Sequence, residues 1–248
     1  MVLGFILYEA FDVVYHLGSL LFGGGKFFYR WYYGIDAALE RGDVKEIEML
    51  LKRIEILEKN LFLFKEHVGM FKASNNYDIY DPDSKKIILH CREKNLNFFF
   101  KIVRMFFNDF KRMTPFEIEI HGLNGEKVLR VKKRFTLFLS KVEVFDENNR
   151  MIGLLKQKFS LKGNFEILDP IGNIICNLKG NLVGWNFKFF KDDKELGLVT
   201  KKWSGIGKEM FTSADNYILE IKDIVEKTSS VRLLILASVI CIDMVIKE

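Results

Sequence analysis

Residues 233–242 read Leu-Leu-Ile-Leu-Ala-Ser-Val-Ile-Cys-Ile, apolar on every face of a helix, and lead into Asp243 and then Met244-Val245-Ile246. Ten residues make about 15 Å of helix, against about 30 Å of bilayer hydrocarbon. Extended to Ile246 the helix carries Asp243, and Arg232 stands at its entrance. A helix that is hydrophobic all round yet too short to span belongs inside a protein. The sequence therefore predicts a domain built around a C-terminal helix at about 230–247, with Ser229 and Ser230 capping its first turn.

What surrounds such a helix is legible upstream. After Ser74-Asn75-Asn76 the apolar period becomes 2, and a unit recurs: alternating apolar residues, an acidic turn and often a glycine. Copies begin at Tyr77-Asp78-Ile79-Tyr80-Asp81, Phe116-Glu117-Ile118-Glu119-Ile120, Val142-Glu143-Val144-Phe145-Asp146, Phe165-Glu166-Ile167-Leu168-Asp169 and Phe187-Lys188-Phe189-Phe190-Lys191-Asp192. Units of roughly 20 to 25 residues are successive hairpins of an antiparallel sheet or barrel. Leu96 to Met113 interrupts them with Phe99, Ile102, Val103, Phe106 and Phe110 at helical spacing. Its Lys101, Arg104, Lys111 and Arg112 make it a basic amphipathic helix, suited equally to touching a membrane and to capping the barrel.

The first 74 residues are of another kind. Met1 to Phe22 is mostly apolar, with Glu9, Asp12, His16 and Ser19 forming one polar stripe. Its apolar side chains contribute roughly −4 to −7 kcal/mol to membrane insertion, and two central carboxylates cost roughly +5 to +7, so spanning is about neutral. Lys26-Phe27-Phe28-Tyr29-Arg30-Trp31 interleaves aromatics and cations as at a lipid headgroup boundary. The stretch is expected either to lie in a membrane interface or to pack on the protein's own core. Residues 35–72 read as helix, with Leu50, Ile54, Leu57, Leu61, Phe64 and Val68 as a heptad-like seam. The expected organisation is thus a helical region over 1–74 and a barrel domain over 75–248.

The stretch Glu195-Leu196-Gly197-Leu198-Val199-Thr200-Lys201-Lys202-Trp203-Ser204-Gly205, followed by Phe211-Thr212-Ser213-Ala214-Asp215-Asn216-Tyr217, resembles the phospholipid scramblase family. Its signature there is an acid-apolar-Gly pair, a Lys-x-Trp-Ser-Gly turn and a Thr-Asp-Ala-Asp-Asn-Phe segment. Pro115-Phe116, Phe165 to Asp169 and the helix containing Ile242-Asp243 are similar to further family segments, so the likeness covers about residues 77–248. It implies an α+β, mainly β fold: a tubby-like, LURP-one-related antiparallel β-barrel of twelve strands closed around the C-terminal helix. It also implies lipid scrambling, lipid binding or membrane-tethered regulation as function classes. The family's calcium segment maps onto Asp215, Asn216, Glu220 and Asp223. Ser213 replaces its first carboxylate and Ile224 stands where an acid is expected, so any calcium binding is expected to be weak and no other cofactor is expected.

The chain has 248 residues, 49% hydrophobic and 29% charged, with net charge +5, which is too weak a basic bias to argue nucleic-acid binding. Residues 1–76 hold 9 basic and 10 acidic side chains, leaving 29 and 23, a net +6, for the barrel. Arg130, Lys132, Lys133 and Arg134 with Lys141, or Lys201, Lys202 and Lys208, are candidate cations for anionic headgroups; otherwise they are a solvated strand face. Cys91, Cys176 and Cys241 are isolated and read as reduced thiols of an intracellular protein. His16, His67, His90 and His121 show no metal spacing, and no catalytic constellation assembles. If the protein has an activity, lipid translocation is expected rather than hydrolysis or transfer. The expected partner is an anionic phospholipid membrane, at whose cytoplasmic face the protein would sit peripherally through Lys26, Phe27, Phe28, Arg30, Trp31, Lys132, Lys133 and Arg134. The alternative is a soluble interaction module whose N-terminal helices bind a protein.

Overall fold

The computed structural model describes residues 41, 51, 54–67, 75–94, 97–106, 112–160, 163–181, 185–201, 216–227 and 229–246. Two compact units divide the chain, one of residues 1–58 with 226–230 and one of 59–225 with 231–248. In the smaller unit residues 54–58 are helical, Ile54 and Leu57 are buried, and Lys227 Nζ donates to Glu58 O at 2.5 Å.

The larger unit is a closed antiparallel barrel whose strands pair in chain order: β1 (Leu61–Glu66), β2 (Tyr77–Tyr80), β3 (Ile87–Glu93), β4 (Phe116–Gly122), β5 (Lys127–Lys133), β6 (Lys141–Asp146), β7 (Met151–Gln157), β8 (Phe165–Leu168), β9 (Ile174–Asn181), β10 (Asn186–Lys191), β11 (Lys194–Thr200) and β12 (Asn216–Ile221). β12 closes the barrel on β1, with Phe64 opposite Tyr217 and Phe62 opposite Leu219. Helix α1 (Phe98–Phe106) lies in the β3–β4 connection, and helix α2 (Ser230–Ile246) ends the chain.

Alternation builds the wall. In β4, Phe116, Ile118 and Ile120 are buried while Glu117 and Glu119 are not; in β5, Leu129, Val131 and Lys133 are buried while Arg130 and Lys132 are not. Eight strands already make a barrel just wide enough for its own side chains to fill, so twelve leave a space that needs another occupant. That occupant is α2, whose residues from Arg232 to Val245 are all buried. Gly153 of β7 shows how closely it passes: a methyl there would stand 2.5 Å from Leu168 O and 2.9 Å from Leu234 Cδ2.

One expectation needs correction. Residues 61–66, read as part of a helix over 35–72, form β1, so the barrel begins upstream of residue 75. Phe62, Leu63 and Phe64 are all buried, which places apolar side chains on both faces of the strand and hides its period of two.

Because α2 is the barrel's core, Leu236→Asp is expected to abolish cooperative thermal unfolding, and Gly153→Ala to cost about 1–3 kcal/mol by overpacking. Circular dichroism melts of the two variants check both.

Candidate functional site

The two ends of the barrel differ in chemistry. At one end the connections are tight and acidic. Asp146 Oδ1 accepts from the backbone N–H of Asn148 and of Arg150, both at 2.9 Å, and Asp169 Oδ1 accepts from Ile171 and Asn173 at 3.0 and 2.8 Å. Asp81 accepts from Asp83 N and Ser84 Oγ in the same manner, and Asp192 and Asp193 take φ of 47° and 61°, the left-handed pair a two-residue hairpin requires. These are the recurring acidic turns of the sequence.

At the opposite end the described parts of the β3–β4, β5–β6 and β7–β8 connections are apolar and basic. Residues 134–140 join β5 to β6 as Arg-Phe-Thr-Leu-Phe-Leu-Ser, where polar turn residues would be the norm. Their feet are tied down: Thr136 N donates to Met113 O at 3.2 Å, and Ser140 N to Gln157 Oε1 at 2.9 Å. Their tips are not. Phe135, Leu137, Phe138 and Leu139 are exposed, and Phe138 retains 89% of its surface. Phe159, in the β7–β8 connection, retains 96%. Phe98 and Phe99 on α1 complete the set, with Phe100 6.4 Å from Phe135 between ring centroids. Every exposed phenylalanine among the described residues lies at this end; the exposed apolar residues at the tight-turn end are Leu123, Ile171, Ile174 and Ile224.

Cations ring the same loops. Arg112 and Arg134 are exposed, and Lys141 opposite Lys156 is a directly cross-strand pair of exposed like charges. Glu166 faces Lys156 from β8 and offsets part of that repulsion. Buried chemistry anchors the end from beneath. Arg104 on α1 donates to both carboxylate oxygens of Glu93 at 2.8 and 2.9 Å, to Thr114 Oγ1 and to Pro115 O. Asp243 on α2 accepts the hydroxyls of Tyr77 and Tyr217 inside the barrel. Burial first, and the Asp243 carboxylate second, push the Tyr77 phenol well above its ordinary range.

Of the residues expected to meet lipid, Lys26, Phe27, Phe28, Arg30 and Trp31 lie outside the described residues. Lys132 sits on the barrel exterior 3.6 Å from Glu117, which also holds Arg130 at 3.5 Å and Lys94 at 3.3 Å. Arg134 is exposed in the apolar loop. Lys133 must be reassigned: strand alternation turns it inward, where it is 1% exposed and its Nζ donates to Thr114 O at 3.1 Å. Of the second cationic group, Lys201 holds its ammonium 4.1 Å above the Trp185 ring, and Lys202 and Lys208 lie outside the described residues.

The proposed calcium donors are spread along a strand rather than gathered in a loop. Asn216 is buried at the start of β12, Glu220 lies four residues on and receives Lys222 Nζ, and Asp223 accepts from Asn60 Nδ2, while Asp215 lies outside the described residues. Four residues of strand separate Asn216 from Glu220 by about 13 Å. Among the described residues no three His, Cys, Asp or Glu side chains gather to hold a metal ion.

Sequence reading missed two groupings. The loop 134–140 carried a signal, an apolar run where a turn was due. The other is Asp78, which His67 Nε2, His90 Nδ1 and Arg92 Nη2 meet at 2.6, 2.7 and 2.7 Å across β1, β2 and β3. Burial raises this carboxyl's pKa, but the hydrogen bonds from His90, Arg92 and His67 prevail and hold it at about 2. Only strand register joins residues so far apart in the chain.

Burial lowers Lys133 from 10.5 to about 8. Between those pH values the unfolded chain binds the extra proton, so this group's contribution to stability rises with pH from about 8 to 10.5. Lys133→Met lacks that rise, so the stability difference should move toward wild type as pH climbs through the window, as chemical denaturation at several pH values will show.

The scramblase family model matches residues 36–248. A phospholipid scramblase family protein of Schizosaccharomyces pombe is 20% identical over 181 residues, covering 69% of this chain and 46% of that protein. The chain thus spans a little under half the length of the curated relative it matches. No solved structure matches the chain.

Proposed function

The chain belongs to the phospholipid scramblase family, and on that premise we propose that it is a scramblase-like protein that docks peripherally on anionic phospholipid membranes through the long-loop end of its barrel. Support comes above all from the exposed tips of Phe138 and Phe159 within a ring of cations. Inserting one phenylalanine into an apolar layer is worth about 1.5–3 kcal/mol, and each cation near an anionic surface about 1 kcal/mol. The turns at the far end mix carboxylates with cations, so an anionic surface is drawn mainly to the long-loop pole. Residues 26–31 would add a second aromatic and cationic contact to the same membrane.

Lipid movement itself has no route through the barrel, whose interior is filled by α2. No helix among the described residues is long and apolar enough to cross a membrane. On this reading the barrel acts at the surface, holding lipid or presenting it to another component at the cytoplasmic leaflet.

The full chain should float with vesicles containing phosphatidylserine and not with pure phosphatidylcholine. Phe138→Ser with Phe159→Ser should reduce the bound fraction at least tenfold without lowering the melting temperature, since neither side chain is in the core. Phe27→Ser with Trp31→Ser measures the N-terminal share separately. Unchanged flotation in the Phe138/Phe159 variant would overturn the assignment of this end.

A further inference from the structure

Between the two exposed loops the surface is not flat. A cavity of about 290 Å³ opens there, walled by Met113, Leu137, Phe138, Leu139 and Phe159 and floored by Val245 of α2. Arg112 stands on its lining, and no ion pair engages it among the described residues. Lys158 is on the same lining, 2.6 Å from Glu166. The space is at the lower edge of the range of small-molecule sites, too small for a folded partner's side-chain cluster and suited to one flexible apolar chain.

We propose that this cavity takes one acyl chain of an anionic phospholipid, drawn partly out of the bilayer on which the barrel docks, with the phosphate held at the rim by Arg112. The proposal rests on the docking reading and adds the ligand to it. Three observations favour an amphiphile over other occupants. Apolar and aromatic side chains make up most of the lining beside Ser140, Gln157 and Ser160 and reach Val245 of the central helix, which matches a hydrocarbon chain. Arg112, in no ion pair among the described residues, is exposed on the lining, where a phosphate attached to that chain would arrive. The cross-strand pair of Lys141 and Lys156 places further positive charge at the same end of the barrel, offset in part by Glu166 opposite Lys156 and complementary to an anionic headgroup layer. The feet of both loops are fixed by the Ser140–Gln157 bonds, so the base of the cavity is set before a ligand arrives.

The test uses the full chain and dodecyl phosphate below its micelle concentration, so that binding reports a single amphiphile and not a membrane. Calorimetry should show saturable binding near one to one, with no binding of inorganic phosphate, which lacks the chain, and at least tenfold weaker binding of dodecyl maltoside, which lacks the charge. Ser160→Trp and, as an independent variant, Met113→Trp, both at lining positions, fill the cavity and should each weaken dodecyl phosphate binding at least tenfold while flotation with phosphatidylserine vesicles persists. Binding of inorganic phosphate with the same affinity would make the site a phosphate site and overturn the proposal. So would unchanged affinity in both tryptophan variants, provided their melts match wild type. A chain that floats with vesicles but does not bind dodecyl phosphate would end the cavity proposal and leave docking intact. Saturable dodecyl phosphate binding without flotation would do the reverse.

Discussion

Everything in the barrel depends on keeping α2 out of water. Its burial supplies the apolar filling that a twelve-stranded wall cannot make for itself, and the wall in turn gives an all-apolar helix a place to be. The helix carries three polar side chains into this interior, and each is satisfied. Arg232 donates to the carbonyls of Val225 and Lys59 and to Asn60 Oδ1. Ser238 bonds back to Leu234 O at 2.7 Å, and Asp243 receives two tyrosine hydroxyls. Polar groups in an apolar interior are costly when misplaced, so Arg232 near one end and Asp243 near the other hold the helix to one depth and one rotation. The packing of Leu234 against Gly153 tightens the same register.

With the helix fixed, the wall has two ends of different chemistry. Tight acidic hairpins close one end economically, using their own carboxylates to satisfy backbone N–H groups. At the other end α1 and residues 134–140 and 158–160 expose phenylalanines over a basic rim. Function on such a fold belongs to the loops a rigid scaffold presents. Here the scaffold reaches the site directly, since Val245 forms the floor of the cavity between the loops.

Much of this was legible in the chain and some was not, for physical reasons. The buried helix was legible because nothing but a protein interior suits ten apolar residues ending in an aspartate. The hairpins were legible because period two and acidic turns repeat. β1 was not, since burial on both faces gives Leu61, Phe62, Leu63 and Phe64 a continuous apolar run that also fits a heptad seam. Lys133 was assigned to a cationic surface from composition, whereas the phase of alternation set by Leu129 and Val131 carries it inside. The Asp78 cluster was invisible because its members meet only through strand register. The resemblance at 195–217 pointed to the family correctly, but the oxygen donors it suggested lie along β12 and beyond rather than in one loop.

The most direct measurement is the depth of each pole of the barrel at a membrane. Cys91, Cys176 and Cys241 are buried, and burial pushes the Cys176 thiol up to about 12 and the other two higher still, so a single introduced cysteine can be spin-labelled selectively. With phosphatidylserine vesicles, a label at position 159 should become accessible to oxygen and protected from a water-soluble nickel chelate, while a label at position 171, on an acidic turn, stays fully accessible to the chelate. Both labels remaining in water, or the label at 171 entering the bilayer while 159 does not, would contradict the account.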